Sequence, residues 1–141
     1  MSVVFISGHR NITEQEFEWH YKSKIFNAVS EGHTFVVGDC LGVDFMAQKY
    51  IASLGCEKVT VYHISGFPMN FYSMNFDLKG HFKSDVDRDW AMTMASDEDL
   101  AWVREGDERS GTAQNLYRRQ LKADGVTSIM EVMTLEAGMW L

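Results

Sequence analysis

The sequence has little proline, little cysteine and no long hydrophobic run. One proline, Pro68, and two cysteines, Cys40 and Cys56, occur in 141 residues. The cysteine spacing fits neither a redox C-x-x-C pair nor a zinc quartet, so we expect free thiols. No apolar run approaches the roughly 20 residues that a membrane helix needs, and the start, 2–6, lacks the basic flank and cleavage site of a signal peptide. These absences predict a cytoplasmic protein without a membrane partner.

Basic residues are also scarce. There are 13 Lys and Arg against 20 Asp and Glu, which gives a formal net charge of −7. Proteins that bind the phosphate backbone of DNA neutralise several phosphates with Lys and Arg, so the sequence predicts that nucleic acid is an improbable partner. The 45% hydrophobic and 13% aromatic residues exclude a disordered segment. A single compact domain over 1–141 is expected.

The hydrophobic pattern alternates between strands and helices. Three β-rich apolar runs, 3–6, 34–37 and 59–64, are separated by two stretches with helical spacing. No hairpin signal joins them, so the pattern predicts βαβαβ winding with right-handed crossovers. Further elements are expected in this order: a helix over 85–95, a strand over 100–103, a helix from Gly111 to about Gly125, and a fifth strand over 126–133. The predicted fold class is α/β: a Rossmann-like, three-layer α/β/α arrangement with a mainly parallel sheet of about five strands.

The segment 66–84 interrupts this alternation as an aromatic-rich excursion. Its five aromatic residues stand among Asn, Ser and Gly: Phe67, Phe71, Tyr72, Phe76 and Phe82. Such a concentration is typical of a lid that stacks on a nucleobase, or of a surface buried between subunits. We favour the second interpretation, which predicts a homo-oligomer. The two are compatible, because a neighbour's aromatic side chain can close each pocket.

Glycine and polar residues follow the predicted strands at one edge of the sheet. Ser7-Gly8-His9-Arg10 follows the first strand, Gly38-Asp39-Cys40-Leu41-Gly42-Val43-Asp44 follows the second, and 105–112 follows the fourth. In an open α/β sheet such loops meet in a crevice, where helix N-termini offer unpaired N–H groups to an anion. Glycines allow a phosphate to approach closely, and Thr112 adds a hydroxyl. Arg10 either grips the phosphate, which we favour, or pairs with a surface carboxylate.

Four motifs of the chain resemble the SLOG superfamily of Rossmann-like proteins. They are Ser7-Gly8-His9-Arg10, the 38–44 segment, Arg88-Asp89-Trp90-Ala91-Met92 and Ser110-Gly111-Thr112, in the order seen there. The superfamily includes the Lonely Guy phosphoribohydrolases and DNA-processing protein A, with nucleoside deoxyribosyltransferases as distant relatives. The chain resembles its small stand-alone members over roughly residues 2–130. This resemblance implies a pocket for a nucleotide or ribose phosphate, with Arg88 as the phosphate-side arginine.

One position departs from the motif of the hydrolases. They carry Gly-Gly-x-Gly-Thr-x-x-Glu, and Asn115 occupies the place of that glutamate. An amide cannot act as a carboxylate nucleophile or base, so the chain is expected to bind its ligand as a sensor or sequestering protein. The alternative is an N-glycosidic-bond hydrolase or deoxyribosyltransferase acting on nucleoside monophosphates with a relocated carboxylate. Asp39 is the first candidate for that carboxylate, although a sugar-hydroxyl acceptor or a loop cap is the role that we favour for it.

The candidate ligand-binding residues form one set. They are Ser7, Gly8, Arg10, Gly38, Asp39, Gly42, Asp44, Arg88, Ser110, Gly111, Thr112 and Asn115.

The five histidines lack metal-ligand spacing, so neither a metal nor another cofactor is expected. The basic cluster Arg118, Arg119 and Lys122 is interpreted as a solvated helix face. Handling of single-stranded DNA, in the manner of DNA-processing protein A, ranks last because of the net charge.

Overall fold

The computed structural model describes residues 1–139 and shows a five-stranded sheet in which every pair of neighbouring strands is parallel. The strand order is β4-β3-β2-β1-β5. The strands are β1 Val3–Ser7, β2 Thr34–Val37, β3 Val59–Tyr62, β4 Asp77–Lys79 and β5 Glu98–Ala101. The fold is therefore the α/β, Rossmann-like arrangement that the alternating pattern predicts.

Helices cover both faces of the sheet. They are α1 Glu14–Phe17, α2 Ser23–Ser30, α3 Val43–Ser53, α4 Asp85–Ala95, α5 Gly111–Ala123 and α6 Ile129–Met139, with a π-helical turn, Glu18–Lys22, that joins α1 to α2. The first helix begins at a complete capping box, in which Thr13 and Glu16 bond each other's backbone N–H groups. Among the described residues, no helix combines the length and apolarity needed to cross a membrane.

Alternate residues of the strands point into two hydrophobic cores. The larger core joins Ile6, Val37 and Val61 to the helices between Glu14 and Ser53. The smaller core lies on the opposite face, where Phe5 packs with Met92 of α4. Both faces of the central strands are thus buried, as is usual for parallel sheets.

The prediction of a fifth strand over 126–133 is wrong, because α6 begins at Ile129. Val132 is fully buried and packs with Trp90 and Leu121, and Glu136 one helical turn later is also buried. This spacing of about four residues belongs to a helix, and a short apolar run alone cannot distinguish the two structures. The fifth strand is instead β4, inside the aromatic excursion. It has only three residues, two of them charged and all three exposed, so it offers no apolar run.

The interpretation of Arg118, Arg119 and Lys122 as a solvated face is also wrong. Arg118 is 1% exposed, and its partners lie inside the protein. Arg119 and Lys122 both donate to the carbonyl of Ser96 at the end of α4. Carbonyls at a helix C-terminus lack intrahelical partners and attract cations, which explains why two of these side chains fold back onto the protein.

Candidate ligand crevice at the carboxyl ends of the strands

A cavity of about 360 Å³ lies where β1 and β2 end and where α4 and α5 begin. Its walls contain ten of the twelve residues predicted from the sequence: Ser7, Gly8, Arg10, Gly38, Asp44, Arg88, Ser110, Gly111, Thr112 and Asn115. The other two, Asp39 and Gly42, lie outside the lining. Parallel strands bring these distant loops to one edge of the sheet, which is why motifs about a hundred residues apart in sequence share one cavity.

The N-terminus of α5 forms one side of the cavity. Ser110 caps this helix by accepting a hydrogen bond from the backbone N–H of Ala113 at 3.2 Å. Gly111 lines the cavity, and apart from its chain neighbours and the backbone of its own helix no atom lies within 4 Å of the position where a side chain would begin. The first N–H groups of a helix lack internal partners and favour an anion. This side of the cavity is therefore suited to a phosphate.

Ser7, at the end of β1, adds a second feature to the same cavity. Its side-chain Oγ is buried and has no hydrogen-bond partner among the described residues. A buried hydroxyl without a partner costs free energy, on the order of 1–3 kcal/mol. A bound ligand that exchanges a hydrogen bond with Ser7 would recover that cost.

The three glycines of the first two loops have no room for a side chain, because the atoms of neighbouring residues lie where it would begin. A side chain on Gly8 would meet Val43, and one on Gly38 would meet the carboxylate of Asp44. Gly42 has φ +79° and lies against the backbone carbonyls of His9 and Arg10. These glycines allow the two loops to pack together, which differs from the close approach to phosphate expected from the sequence. Gly111 is the predicted site glycine with open space around it.

Arg88 lies at the base of the cavity, and three carboxylates surround it. Its Nη1 is 3.1 Å from Asp39 Oδ1, its Nε is 3.0 Å from Asp89 Oδ1, and its Nη2 is 3.3 Å from Asp85 Oδ1. A guanidinium engaged in this way has fewer donors left for a ligand phosphate. Arg10, in contrast, is exposed and forms no ion pair within the described residues.

Asp39 connects the crevice to the aromatic excursion. Its Oδ1 accepts from Arg88, and its Oδ2 accepts the backbone N–H of Met69 at 2.9 Å. With 2% exposure and both oxygens engaged, Asp39 has the geometry of a positioning group. Its backbone carbonyl also accepts from the side chain of Asn70. This arrangement agrees better with the loop-cap role than with the catalytic one.

Asp44, which is buried, and Asp89, which is partly buried, both line the cavity. Burial, followed by the charge of Asp89, raises the pKa of Asp44 to about 7. Burial also raises the pKa of Asp89, although Arg88 and Arg118 oppose this shift. Burial raises the pKa of the Cys40 thiol, which is therefore a weak nucleophile at neutral pH. The cavity thus contains acidic groups with raised pKa values, and a carboxyl group can accept hydrogen bonds in either protonation state and donate one when it is protonated.

Six residues that line the cavity are absent from the set predicted from the sequence: Phe5, His9, Cys40, Asp85, Asp89 and Met92. For Asp89, the place beside Arg88 in the second turn of α4 is a usable signal. Arg118 follows Asn115 by three residues on α5, a spacing that brings helical side chains together. Among residues 1–139 no cluster of His, Cys, Asp and Glu suited to a metal ion occurs.

The aromatic excursion is held in place by polar contacts. Gln48, which is completely buried, donates to the carbonyl of Asn70 and accepts the N–H of Tyr72. Two of the five aromatic residues remain largely exposed, Phe67 at 66% and Tyr72 at 52%, whereas Phe76 is buried. The homo-oligomer expected from this segment stays a prediction.

No family model matches the sequence, and no curated protein matches it significantly. Among solved structures the chain is similar to DNA processing protein A from Helicobacter pylori, a protein with a described single-stranded DNA binding mode. The TM-score is 0.53 with 17% sequence identity, and the match covers 96% of this chain and 80% of that chain. This likeness shows the fold, which is compatible with a SLOG-like arrangement.

The same finding corrects the prediction that nucleic acid is an improbable partner. A protein of similar fold binds single-stranded DNA, so the exclusion drawn from the net charge is wrong. The physical reason is that a net charge of −7 is a sum over the whole chain. Binding depends instead on the local potential of one surface, which this sum does not determine.

Proposed function

We propose that the crevice binds a nucleotide or a nucleotide-derived ribose phosphate and that the protein acts as a sensor or sequestering protein. The observation that carries this proposal is that Ser7, whose buried hydroxyl has no partner among the described residues, lines the same cavity as the N-terminus of α5. Helix N-terminal N–H groups favour phosphate, and a buried polar atom without a partner points to a polar ligand. The volume, about 360 Å³, suits a nucleoside monophosphate.

The roles of the residues follow from their charge. The phosphate lies at Gly111 and Thr112, where the hydroxyl of Thr112 and the exposed guanidinium of Arg10 complete its contacts. Arg88, already surrounded by carboxylates, neutralises the base of the cavity. Asp44 and Asp89 accept or exchange hydrogen bonds with ribose hydroxyls. Binding without turnover is favoured because Asn115 offers an amide where a reacting sugar would need a carboxylate.

The decisive experiment combines ligand release with titration calorimetry. Purified protein is heated, the supernatant is examined by mass spectrometry, and fresh protein is titrated with ribose 5-phosphate and a panel of nucleoside monophosphates. Thr112→Val and Arg10→Ala should each weaken binding about tenfold or more, because each removes a phosphate contact. Thr127→Val, at an exposed position, is the matched control and should bind normally. Equal affinity for the wild type and both variants would exclude the proposed site.

Turnover is tested by overnight incubation with the same nucleotides and chromatography for free base. The binding proposal expects intact nucleotide. Release of base would favour the alternative of a glycosidase, for which Asp44 is the carboxyl group that lines the cavity with a pKa near neutrality. In that case Asp44→Asn should abolish the release of base. Asp39→Asn is the comparison and should retain it, because both oxygens of Asp39 already bond protein groups.

A second candidate function is binding of single-stranded DNA. It is favoured by the similarity to DNA processing protein A and by the exposed rings of Phe67 and Tyr72, since aromatic faces stack on bases without sequence preference. Fluorescence anisotropy with a labelled oligothymidylate, at increasing salt, tests it. A Phe67→Ala/Tyr72→Ala variant should bind at least tenfold more weakly, whereas Phe26→Ala, at an exposed ring on α2, should bind normally. Absence of wild-type binding at low salt would exclude this candidate.

A further inference from the structure

A buried arginine lies directly behind the crevice. Arg118 of α5 is 1% exposed, and its guanidinium reaches residues of three helices. It contacts Asn115 on its own helix at 2.6 Å, Asp89 of α4 at 3.7 Å and Glu136 of α6 at 2.6 Å. Asn115 and Asp89 line the cavity, whereas Arg118 and Glu136 do not. The network therefore connects the ligand crevice to the C-terminal helix.

The chemistry of arginine determines how Asn115 is oriented. A guanidinium has donors only, so the group of Asn115 that faces Arg118 is its side-chain oxygen. The two N–H donors of the amide must then point the other way. They lie on the side of Asp89, where the amide of Asn115 helps to lower the pKa of that carboxyl group against the larger, raising effect of burial. The amide consequently presents donors, rather than its acceptor, toward the cavity.

Glu136 holds Arg118 in the position that this orientation requires. Its two carboxylate oxygens accept from Nε at 2.6 Å and from Nη2 at 3.2 Å, a bidentate contact that fixes the plane of the guanidinium. Glu136 is itself 8% exposed, so the pair is shielded from water. Gln114 accepts a further bond from Nη2. Within the described part of α6, Glu136 is the residue whose side chain bonds Arg118.

We propose that Arg118, held by Glu136, is a positioning residue that fixes the Asn115 amide with its donors toward the crevice, so that α6 is part of the ligand site. The effect on ligand binding rests on the proposed function. The orientation of the Asn115 amide does not, because it is a property of the protein without ligand. The network selects for ligand groups that accept hydrogen bonds, such as phosphate or ribose oxygens.

The test uses the full chain and three variants of α6. Glu136→Gln replaces one carboxylate oxygen with an amide nitrogen that faces a guanidinium donor, so the bidentate contact is lost. Glu131→Gln makes the same chemical change at an exposed position of the same helix. Val132→Ala loosens the packing of α6 without touching a charge. The measurements are ribose 5-phosphate affinity by calorimetry, thermal unfolding, and the side-chain amide resonance of Asn115, assigned from its absence in Asn115→Ser.

The expected result separates positioning from stability. Glu136→Gln should shift the Asn115 amide resonance and weaken ribose 5-phosphate binding about tenfold, and Arg118→Lys should do the same because lysine cannot hold both partners. Glu131→Gln should resemble the wild type. Val132→Ala should lower the unfolding temperature but leave both the resonance and the affinity unchanged.

Two outcomes would overturn the proposal. One is a Glu136→Gln protein that unfolds at a lower temperature but keeps the wild-type resonance and affinity, which would make the pair purely structural. The other is a Val132→Ala protein that shows the same shift and loss of affinity. If the wild type binds no ribose 5-phosphate and no nucleotide, the proposed function fails, and the amide resonance in the free protein still decides whether Glu136 orients Asn115.

Discussion

Arg88 and Asp39 form a buried ion pair, with Nη1 3.1 Å from Oδ1 and side-chain exposures of 5% and 3%. The other oxygen of Asp39 accepts the backbone N–H of Met69, which belongs to the aromatic excursion. One carboxylate therefore joins the base of the crevice to the loop beside it. Since water reaches neither group freely, each depends on the other for compensation of its charge.

The first prediction concerns this pair. Asp39→Ala leaves the buried Arg88 with fewer partners and removes the acceptor of Met69, so the free energy of unfolding should fall by about 3 kcal/mol. Hydrogen exchange of the Met69 amide should accelerate at the same time. Asp85→Ala is the control, because Asp85 also contacts Arg88 but is 61% exposed. This variant should lower the free energy of unfolding by less than about 1 kcal/mol. Equal losses of unfolding free energy in the two variants would contradict a special role of Asp39 in compensating the charge of Arg88.

The second prediction distinguishes two kinds of glycine. Gly111→Ala should leave the unfolding temperature unchanged, because its side chain would enter open space, but should weaken ribose 5-phosphate binding by about tenfold or more. Gly38→Ala should destabilise the protein, because its side chain would meet the carboxylate of Asp44. Circular dichroism melting and calorimetry measure the two effects. A Gly111→Ala protein with undiminished affinity would show that ligand does not approach this backbone.

The crevice could be predicted from the sequence because its residues follow strands, and strands are marked by their hydrophobic pattern. The apolar run 34–37 ends at Val37, and this alone is enough to place Gly38 and Asp44 beyond the end of β2, at the edge of the sheet. The partners of these residues could not be predicted. The engagement of Arg88 by three carboxylates depends on how α4 packs beside the loop after β2, which no local pattern encodes.

The errors of the sequence reasoning have a common physical origin. The strand β4 has only three residues, all exposed at the edge of the sheet, which is too few for a recognisable pattern. The helix α6 resembles a strand in sequence because its apolar residues form a short run. Arg118 is expected in solvent because arginine is seldom fully buried. In each case long-range packing overrides a correct local tendency, since the burial of Arg118 requires Glu136 to arrive from a different helix.

The third prediction follows from the raised pKa of Asp44, about 7, whereas an unfolded aspartate titrates near pH 4. Between these values the folded protein keeps a proton that the unfolded chain has released. The contribution of Asp44 to stability is therefore complete below about pH 4 and is lost as the pH rises to about 7. At about 1.4 kcal/mol per pKa unit, the loss is on the order of 4 kcal/mol.

Denaturant unfolding of Asp44→Asn and wild type from pH 4 to pH 8 measures this effect. Asparagine keeps an acceptor for the backbone N–H of Cys40 and cannot ionise, so the variant should become more stable relative to the wild type as the pH rises. Asp77→Asn, at an exposed position of β4, is the matched control and should follow the wild type at every pH. Parallel curves for wild type and Asp44→Asn would show that Asp44 ionises normally in the folded protein.

The fourth prediction concerns Tyr21, which ties together the ends of the two strands β1 and β5. Its hydroxyl donates to the carbonyl of Ser7 at 2.8 Å and accepts the backbone N–H of Trp102 at 3.0 Å. Tyr21→Phe leaves both backbone groups without this partner in a buried site, so the free energy of unfolding should fall by about 1–3 kcal/mol. Tyr50→Phe is the control, because both rings pack on Phe17 and Tyr50 is only partly buried. Urea unfolding measures the two losses of unfolding free energy. If Tyr21→Phe is as stable as Tyr50→Phe, the hydroxyl that connects Ser7 to Trp102 contributes nothing to the stability of the fold that positions Ser7.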